Sequence, residues 1–248
     1  MVSACGGQPG AREDIGEPVA TLPVFDDDRT DLDPGEPPER LDEDLIDATL
    51  TAAVQVAGEG CTRLQLGSGF VVAEETVVTN AHVVAGVAEV MVRTRTGAMS
   101  AEVIGFDPDA DIAVLVVEGL VLPALELADG ELDDEGVILG FGGSESTDDG
   151  VLSPPDPDAF RLNRLITATG ENIYRDEGDT SRAAYLVAAD IEPGDSGGAL
   201  VRSDGVAVGM AFAASRRANA SYAVRSSEII DRLNAPEIIG DLERCARG

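Results

Sequence analysis

The sequence predicts an all-β protein, a barrel or a sandwich, behind a disordered acidic leader and ahead of one short C-terminal helix. Three observations carry that expectation. Short Val- and Ile-rich runs recur along the body, each closed by Gly, Pro, Asp or Asn, which is how strands and their turns are spelled. Sustained helical periodicity is missing until residues 226–233. The apolar share is 44% with 4% aromatic residues and no Trp, so this chain of 248 residues has enough core material, and that material is mostly Val, Ile, Leu and Ala.

Residues 1–44 are rich in Asp, Glu, Pro and Gly, as in Asp26-Asp27-Asp28 and Glu36-Pro37-Pro38-Glu39. They hold too little apolar surface to offset chain entropy and read as a disordered tether. Leu41, Leu45, Ile46 and Leu50 mark one weak helical face at the entry to the body, 45–248. Strands are predicted at 51–56, 65–72, 76–79, 87–94, 100–105, 112–117 and 137–140. A polar, Pro-containing stretch over 142–160 predicts a surface loop. Strand character returns at 164–170, 184–189, 198–202 and 206–211, with Asp204-Gly205 as the hairpin turn between the last two. Spacing of this kind fits a barrel or a sandwich.

Charge excludes whole classes of partner. The 47 acidic residues against 17 basic ones, all of them Arg, give a formal net charge of −30. Such a surface repels phosphate backbones and anionic headgroups, so nucleic acid is not an expected partner. No apolar run is long enough to cross a bilayer as a helix. Val2-Ser3-Ala4-Cys5-Gly6 is similar to a bacterial lipobox, which would put a lipid anchor on Cys5, although no basic or apolar segment precedes it. Cys61 and Cys245 bracket the body. Paired, they would close a loop of about 180 residues, stabilise the fold by roughly 4–5 kcal/mol and imply an oxidising, extracytoplasmic compartment. Unpaired, they would be two buried thiols, and the spacing leaves both readings open. One histidine and three scattered cysteines form no zinc-ligand set, and no metal or organic cofactor is expected.

The chemistry-bearing stretch is Gly194-Asp195-Ser196-Gly197-Gly198, a serine between glycines at the entry to an apolar run. Glycines permit the sharp turn that presents a hydroxyl and leave backbone N–H groups beside it to receive negative charge. A serine hydroxyl is a poor nucleophile at neutral pH without a base, and the chain holds a single histidine, His82, in Val77-Val78-Thr79-Asn80-Ala81-His82-Val83-Val84. A third group should orient that imidazole. Asp111, in Asp107-Pro108-Asp109-Ala110-Asp111-Ile112-Ala113-Val114-Leu115, lies just before an apolar run that would lock its position.

These three stretches, together with Gly67-Ser68-Gly69-Phe70-Val71-Val72, stand in the order of chymotrypsin-like (trypsin-like) serine proteases, and the chain resembles the HtrA-type branch over about 50–235. The resemblance implies two six-stranded β-barrels, about 50–130 and 131–235, with the active site in the cleft between them. It implies His82 as general base, Asp111 as orienting acid and Ser196 as nucleophile. The backbone N–H groups of Gly194 and Ser196 would form the oxyanion hole, and proteins or peptides would be the substrates. Asn172-Ile173-Tyr174, the run from Ala189 to Ser196 and the flanking cysteines are similar to actinobacterial acid-resistance proteases of that branch, which implies a Cys61–Cys245 disulfide. The transmembrane helices of those proteins and the PDZ domain of HtrA relatives have no counterpart in this sequence.

Two readings of specificity stand side by side. Asp190, six residues before Ser196, falls where the family often places the base of the primary pocket, which would favour Arg or Lys at the cleaved bond. Turned away, it would leave a small apolar pocket lined by Phe212, Tyr222 and Val224. No Arg-Ile-Val-Gly-Gly-like sequence precedes the first strand, so Asp195 is not expected to pair with an amino terminus freed by activation cleavage.

Overall fold

The structure is a computed structural model that describes residues 19–20, 24–25, 34–39, 43–61, 64–142, 152, 154–176, 179–215 and 221–246. Cys5, the lipobox and most of the leader lie outside the described residues. In chain order come β1 (Val19–Ala20), β2 (Val24–Phe25) and α1 (Glu43–Thr49), followed by a single 3-10 turn. The first barrel is β3 (Ala53–Glu59), β4 (Leu64–Ala73), β5 (Thr76–Thr79), β6 (Val90–Thr94), β7 (Gly97–Asp107) and β8 (Ile112–Val116), with the one-turn helix α2 (Ala81–Val84) after β5. The second barrel is β9 (Glu135–Gly140), β10 (Asp156–Gly170), β11 (Thr180–Ala188), β12 (Ala199–Arg202), β13 (Ala207–Ser215) and β14 (Ser221–Arg225), and α3 (Ser226–Asn234) closes the order.

Both six-strand sets close on themselves. The first runs β4-β3-β6-β7-β8-β5 with β5 returning to β4, and the second β12-β9-β10-β11-β14-β13 with β13 returning to β12. Each has one short added strand from the leader: β1 lies parallel to β4 at Gln65 and Leu66, and β2 parallel to β13 at Ala214 and Ser215. The leader therefore touches both barrels at these points. Farther along it, the Pro34 and Glu36 carbonyls accept hydrogen bonds from the Asn163 and Arg161 side chains.

Period-two alternation explains why so many strands read as unbroken apolar runs. In β8, Ala113 and Leu115 face the first barrel's interior while Ile112 and Val114 join a core shared by the two barrels. In β9, Ile138 faces the second barrel's interior while Val137 and Leu139 meet the same shared core. Strands buried on both faces lose the polar half of the alternation.

Two expectations are corrected. The predicted loop over 142–160 gives way to strand from Asp156, because 156–161 pair with 135–140 of β9; only Phe160 and Leu162 need be buried, and the polar Asp-Pro-Asp start hid the strand. A strand not among those the sequence predicts, β14, whose five residues are Ser-Tyr-Ala-Val-Arg, completes the second barrel between β11 and β13. After α3 the chain turns back along the first barrel, pairing Phe106 with Glu237 and Ile239 and giving the Leu242 carbonyl to the Gly86 N–H. It ends there in the disulfide Cys61–Cys245, Cα–Cα 6.2 Å.

Candidate active site

His82 and Asp111 come from neighbouring strands of the first barrel. β5 pairs antiparallel with β8, so the turn after Thr79 lies beside the turn before Ile112. Asp107 shapes that second turn: its Oδ1 accepts the N–H groups of Asp109 and Ala110, both at 2.9 Å, and its Oδ2 takes Nε of Arg232 from α3 at 2.6 Å. Asp111 leaves the turn at φ 58°, a left-handed conformation uncommon for a residue other than glycine. Asn80 secures it by donating Nδ2 to the Asp111 carbonyl at 2.9 Å.

The two side chains are buried and joined. Asp111 Oδ1 accepts the His82 backbone N–H at 2.9 Å, and His82 Nδ1 lies 2.9 Å from Oδ2 and 3.1 Å from Oδ1. A nitrogen facing two carboxylate oxygens carries the proton, so the neutral ring presents Nε2 as a bare acceptor. Nε2 is buried and has no hydrogen-bond partner in this structure.

Ser196 comes from the second barrel, on the loop into β12, and its loop is seated against β4 of the first. The Ser68 N–H donates to the Ser196 carbonyl at 2.7 Å, and the Ser68 hydroxyl donates to the Gly194 carbonyl at 2.7 Å while accepting the Phe141 N–H at 2.9 Å. Thr79, at the end of the strand leading to His82, donates Oγ1 to the Ser68 carbonyl at 2.6 Å. Ser68 thus ties the nucleophile loop to the histidine's strand. Its residue type alone predicts no role; the glycines on either side, which let two backbones approach, are the available signal.

Glycine is required twice in the loop itself. Gly194 adopts φ 109° and Gly197 φ 89°. A Cβ on Gly197 would collide with the Ser68 carbonyl oxygen, and the Gly197 N–H is used by the Ala211 carbonyl of β13 at 2.9 Å. Asp195, between them, is buried and accepts the Gly142 N–H at 2.7 Å and the Glu192 N–H at 2.9 Å. Burial pushes its carboxyl up to about 6 against the pull of those two amides. Asp158 on β10 is raised further, to about 7, by burial first and then by the like charges of Asp195, Asp156, Asp190 and Glu192.

The residues expected at the specificity pocket fall in different surroundings. Asp190 is exposed in the loop two residues past β11. Phe212, Tyr222 and Val224 are buried in the core shared by the barrels, with the two rings 6.3 Å apart and tilted by 47°.

Two closed β-barrels, one carrying a glycine-flanked serine loop seated on β4 of the other, and that other carrying a buried His–Asp pair, define the chymotrypsin-like class. The family follows: residues 67–210 match the trypsin-like peptidase domain, and the chain belongs to that family. The Mycobacterium tuberculosis serine protease Rv3671c is 32% identical over 212 residues, 84% of this chain and 49% of that protein. A probable periplasmic serine endoprotease, DegP-like, of Halomonas elongata is 34% identical over 160 residues, 62% of this chain and 30% of its own. The crystal structure of the active form of the Rv3671c protease superposes with a TM-score of 0.76 at 28% identity, covering 98% of this chain and 100% of that one. The chain spans about half the length, or less, of the curated relatives it matches.

Proposed function

We propose that the chain is a serine endopeptidase acting on proteins or peptides outside the cytoplasm, with residues 45–248 as the proteolytic unit and 1–44 as an acidic leader. One observation carries the reading: the single imidazole of the sequence has Nδ1 committed to a buried carboxylate and Nε2 buried without a partner, in the helical turn after the strand that Ser68 ties to the serine loop. In the proposed reaction Nε2 of His82 takes the proton of the Ser196 hydroxyl as Oγ attacks the peptide carbonyl. The imidazolium returns that proton to the leaving amine, leaving an acyl-enzyme that water hydrolyses by the same relay. Asp111 holds the ring in the acceptor tautomer and stabilises the imidazolium. The N–H groups of Gly194 and Ser196 receive the oxyanion; loss of one such donor costs about 10²–10³ in turnover.

A fluorophosphonate probe tests the assignment. It labels Ser196 in the wild type and fails on His82→Ala and on Ser196→Ala. A wild-type protein that stays unlabelled between pH 5 and 8 is a silent protease fold, and the reading falls. The compartment is tested separately: with its native upstream sequence, protein anchored through Cys5 partitions into detergent and Cys5→Ala does not.

A further inference from the structure

Asp111 has a second buried neighbour. Arg182, near the start of β11 in the other barrel, places Nη1 3.9 Å from Asp111 Oδ2, with side-chain exposures of 5% and 1%. Its guanidinium carbon lies 5.2 Å from the centroid of the Phe212 ring, a cation–π shelf provided by β13. Two charges removed from water this fully are tolerated only when each compensates the other. Two carboxylates of the same turn are committed elsewhere. Asp107 is paired with Arg232 of α3, and Asp109 takes the side-chain amide of Asn172. His82 is the imidazole that Asp111 already holds. Among the described residues, Arg182 is the one arginine in ion-pair distance of Asp111.

We infer that Arg182 is a positioning residue that acts on the reaction through Asp111. The inference rests on the triad proposed above. The separation explains the division of labour. At 3.9 Å the guanidinium supplies countercharge without taking the Oδ2 lone pair that His82 Nδ1 uses at 2.9 Å, so the carboxylate keeps both of its bonds to residue 82. Phe212 lies under the guanidinium carbon, which assigns that ring a task distinct from lining a specificity pocket. The device also spans the two barrels: the histidine and its acid come from one, the compensating charge and its aromatic support from the other. Without Arg182 the carboxylate would be a lone buried anion with a reason to turn away from the imidazole or to admit water.

The test uses the full chain and the rate of fluorophosphonate labelling at several probe concentrations, which separates maximal rate from half-saturation. Arg182→Met keeps an unbranched apolar stem but removes the guanidinium and its charge; its maximal rate falls about tenfold or more with half-saturation changed less than about twofold. Arg182→Lys restores most of the loss. In an Asp111→Asn background, Arg182→Met costs nothing further, since there is no carboxylate left to hold. Wild-type labelling by Arg182→Met, equal losses in the Met and Lys variants, or the full loss repeated in the Asp111→Asn background each overturn the inference. Should melting curves show that Arg182→Met does not fold, Arg182→Gln against Arg182→Lys makes the same comparison. His82→Ala is measured alongside. If it labels normally the triad itself is wrong, and if it is dead while Arg182→Met is normal only the role of Arg182 falls.

Discussion

The two halves of the site are built from different materials. The first barrel contributes side chains: an imidazole, a carboxylate and Asn80, buried and joined by bonds near 2.9 Å. Around the serine the second barrel contributes backbone conformation: Gly194 at φ 109° and Gly197 at φ 89°, with the loop's N–H and C=O groups assigned to Ser68, Ala211 and Glu192. A half made of side chains loses function when one functional group changes and keeps its shape. A half made of backbone loses its shape first.

The sharpest break of that comparison sets Gly197→Ala against Asp111→Asn. Alanine at 197 needs a left-handed backbone and drives its Cβ into the Ser68 carbonyl, so the serine loop cannot seat on β4; the variant is recovered unfolded or aggregated, with no melting transition. Asparagine at 111 keeps the size of the side chain but offers Nδ1 the wrong partner. That variant melts cooperatively and has lost about 10⁴ in turnover. A folded, active Gly197→Ala, or an Asp111→Asn variant with near-normal rate, would dissolve the distinction.

The same contrast explains what was legible beforehand. His82 stood out because it is the sole histidine, and Ser196 because glycines crowd it; both are statements about residue type. Asp111 could not be chosen from 47 acidic residues by type at all, and needed the ordered motifs around it. Eleven of the twelve barrel strands left a run of β-branched or apolar residues, whereas β14 holds only Tyr222-Ala223-Val224 between Arg225 and a serine whose hydroxyl is spent on the Ala189 carbonyl. Ser68 and Arg182 are illegible for a related reason. Their roles lie in partners 126 and 71 positions away, which no local pattern encodes: Gly194 for one, Asp111 for the other.

Ser68→Ala sits between the two halves and has an intermediate effect. It removes a buried hydroxyl that serves two backbone groups, the Gly194 carbonyl and the Phe141 N–H, leaving both unpaired. The cost in stability is about 1–3 kcal/mol by denaturant melting. Because Gly194 is a proposed oxyanion donor, turnover should fall as well. Stability loss without any change in turnover would place Ser68 purely in the joint between barrels.

The smallest effect concerns Asp158, whose carboxyl is raised from 3.8 to about 7. A carboxyl that binds its proton more tightly in the folded state adds stability that is complete below its unfolded value and disappears as pH rises through its folded one. The contribution is therefore lost between about pH 4 and pH 7, where the ionised group begins to repel Asp195, Asp156, Asp190 and Glu192. Asp158→Asn abolishes that titration. Its melting temperature exceeds the wild type's above pH 7 and gains nothing at pH 4, and at a half-buried position solvent screening keeps the difference under about 1 kcal/mol. Asp195, raised to about 6 mainly by its own burial, remains in the variant. A residual slope near pH 6 should therefore persist in Asp158→Asn. Its disappearance would mean that Asp158, rather than burial of the serine loop, sets the titration of Asp195.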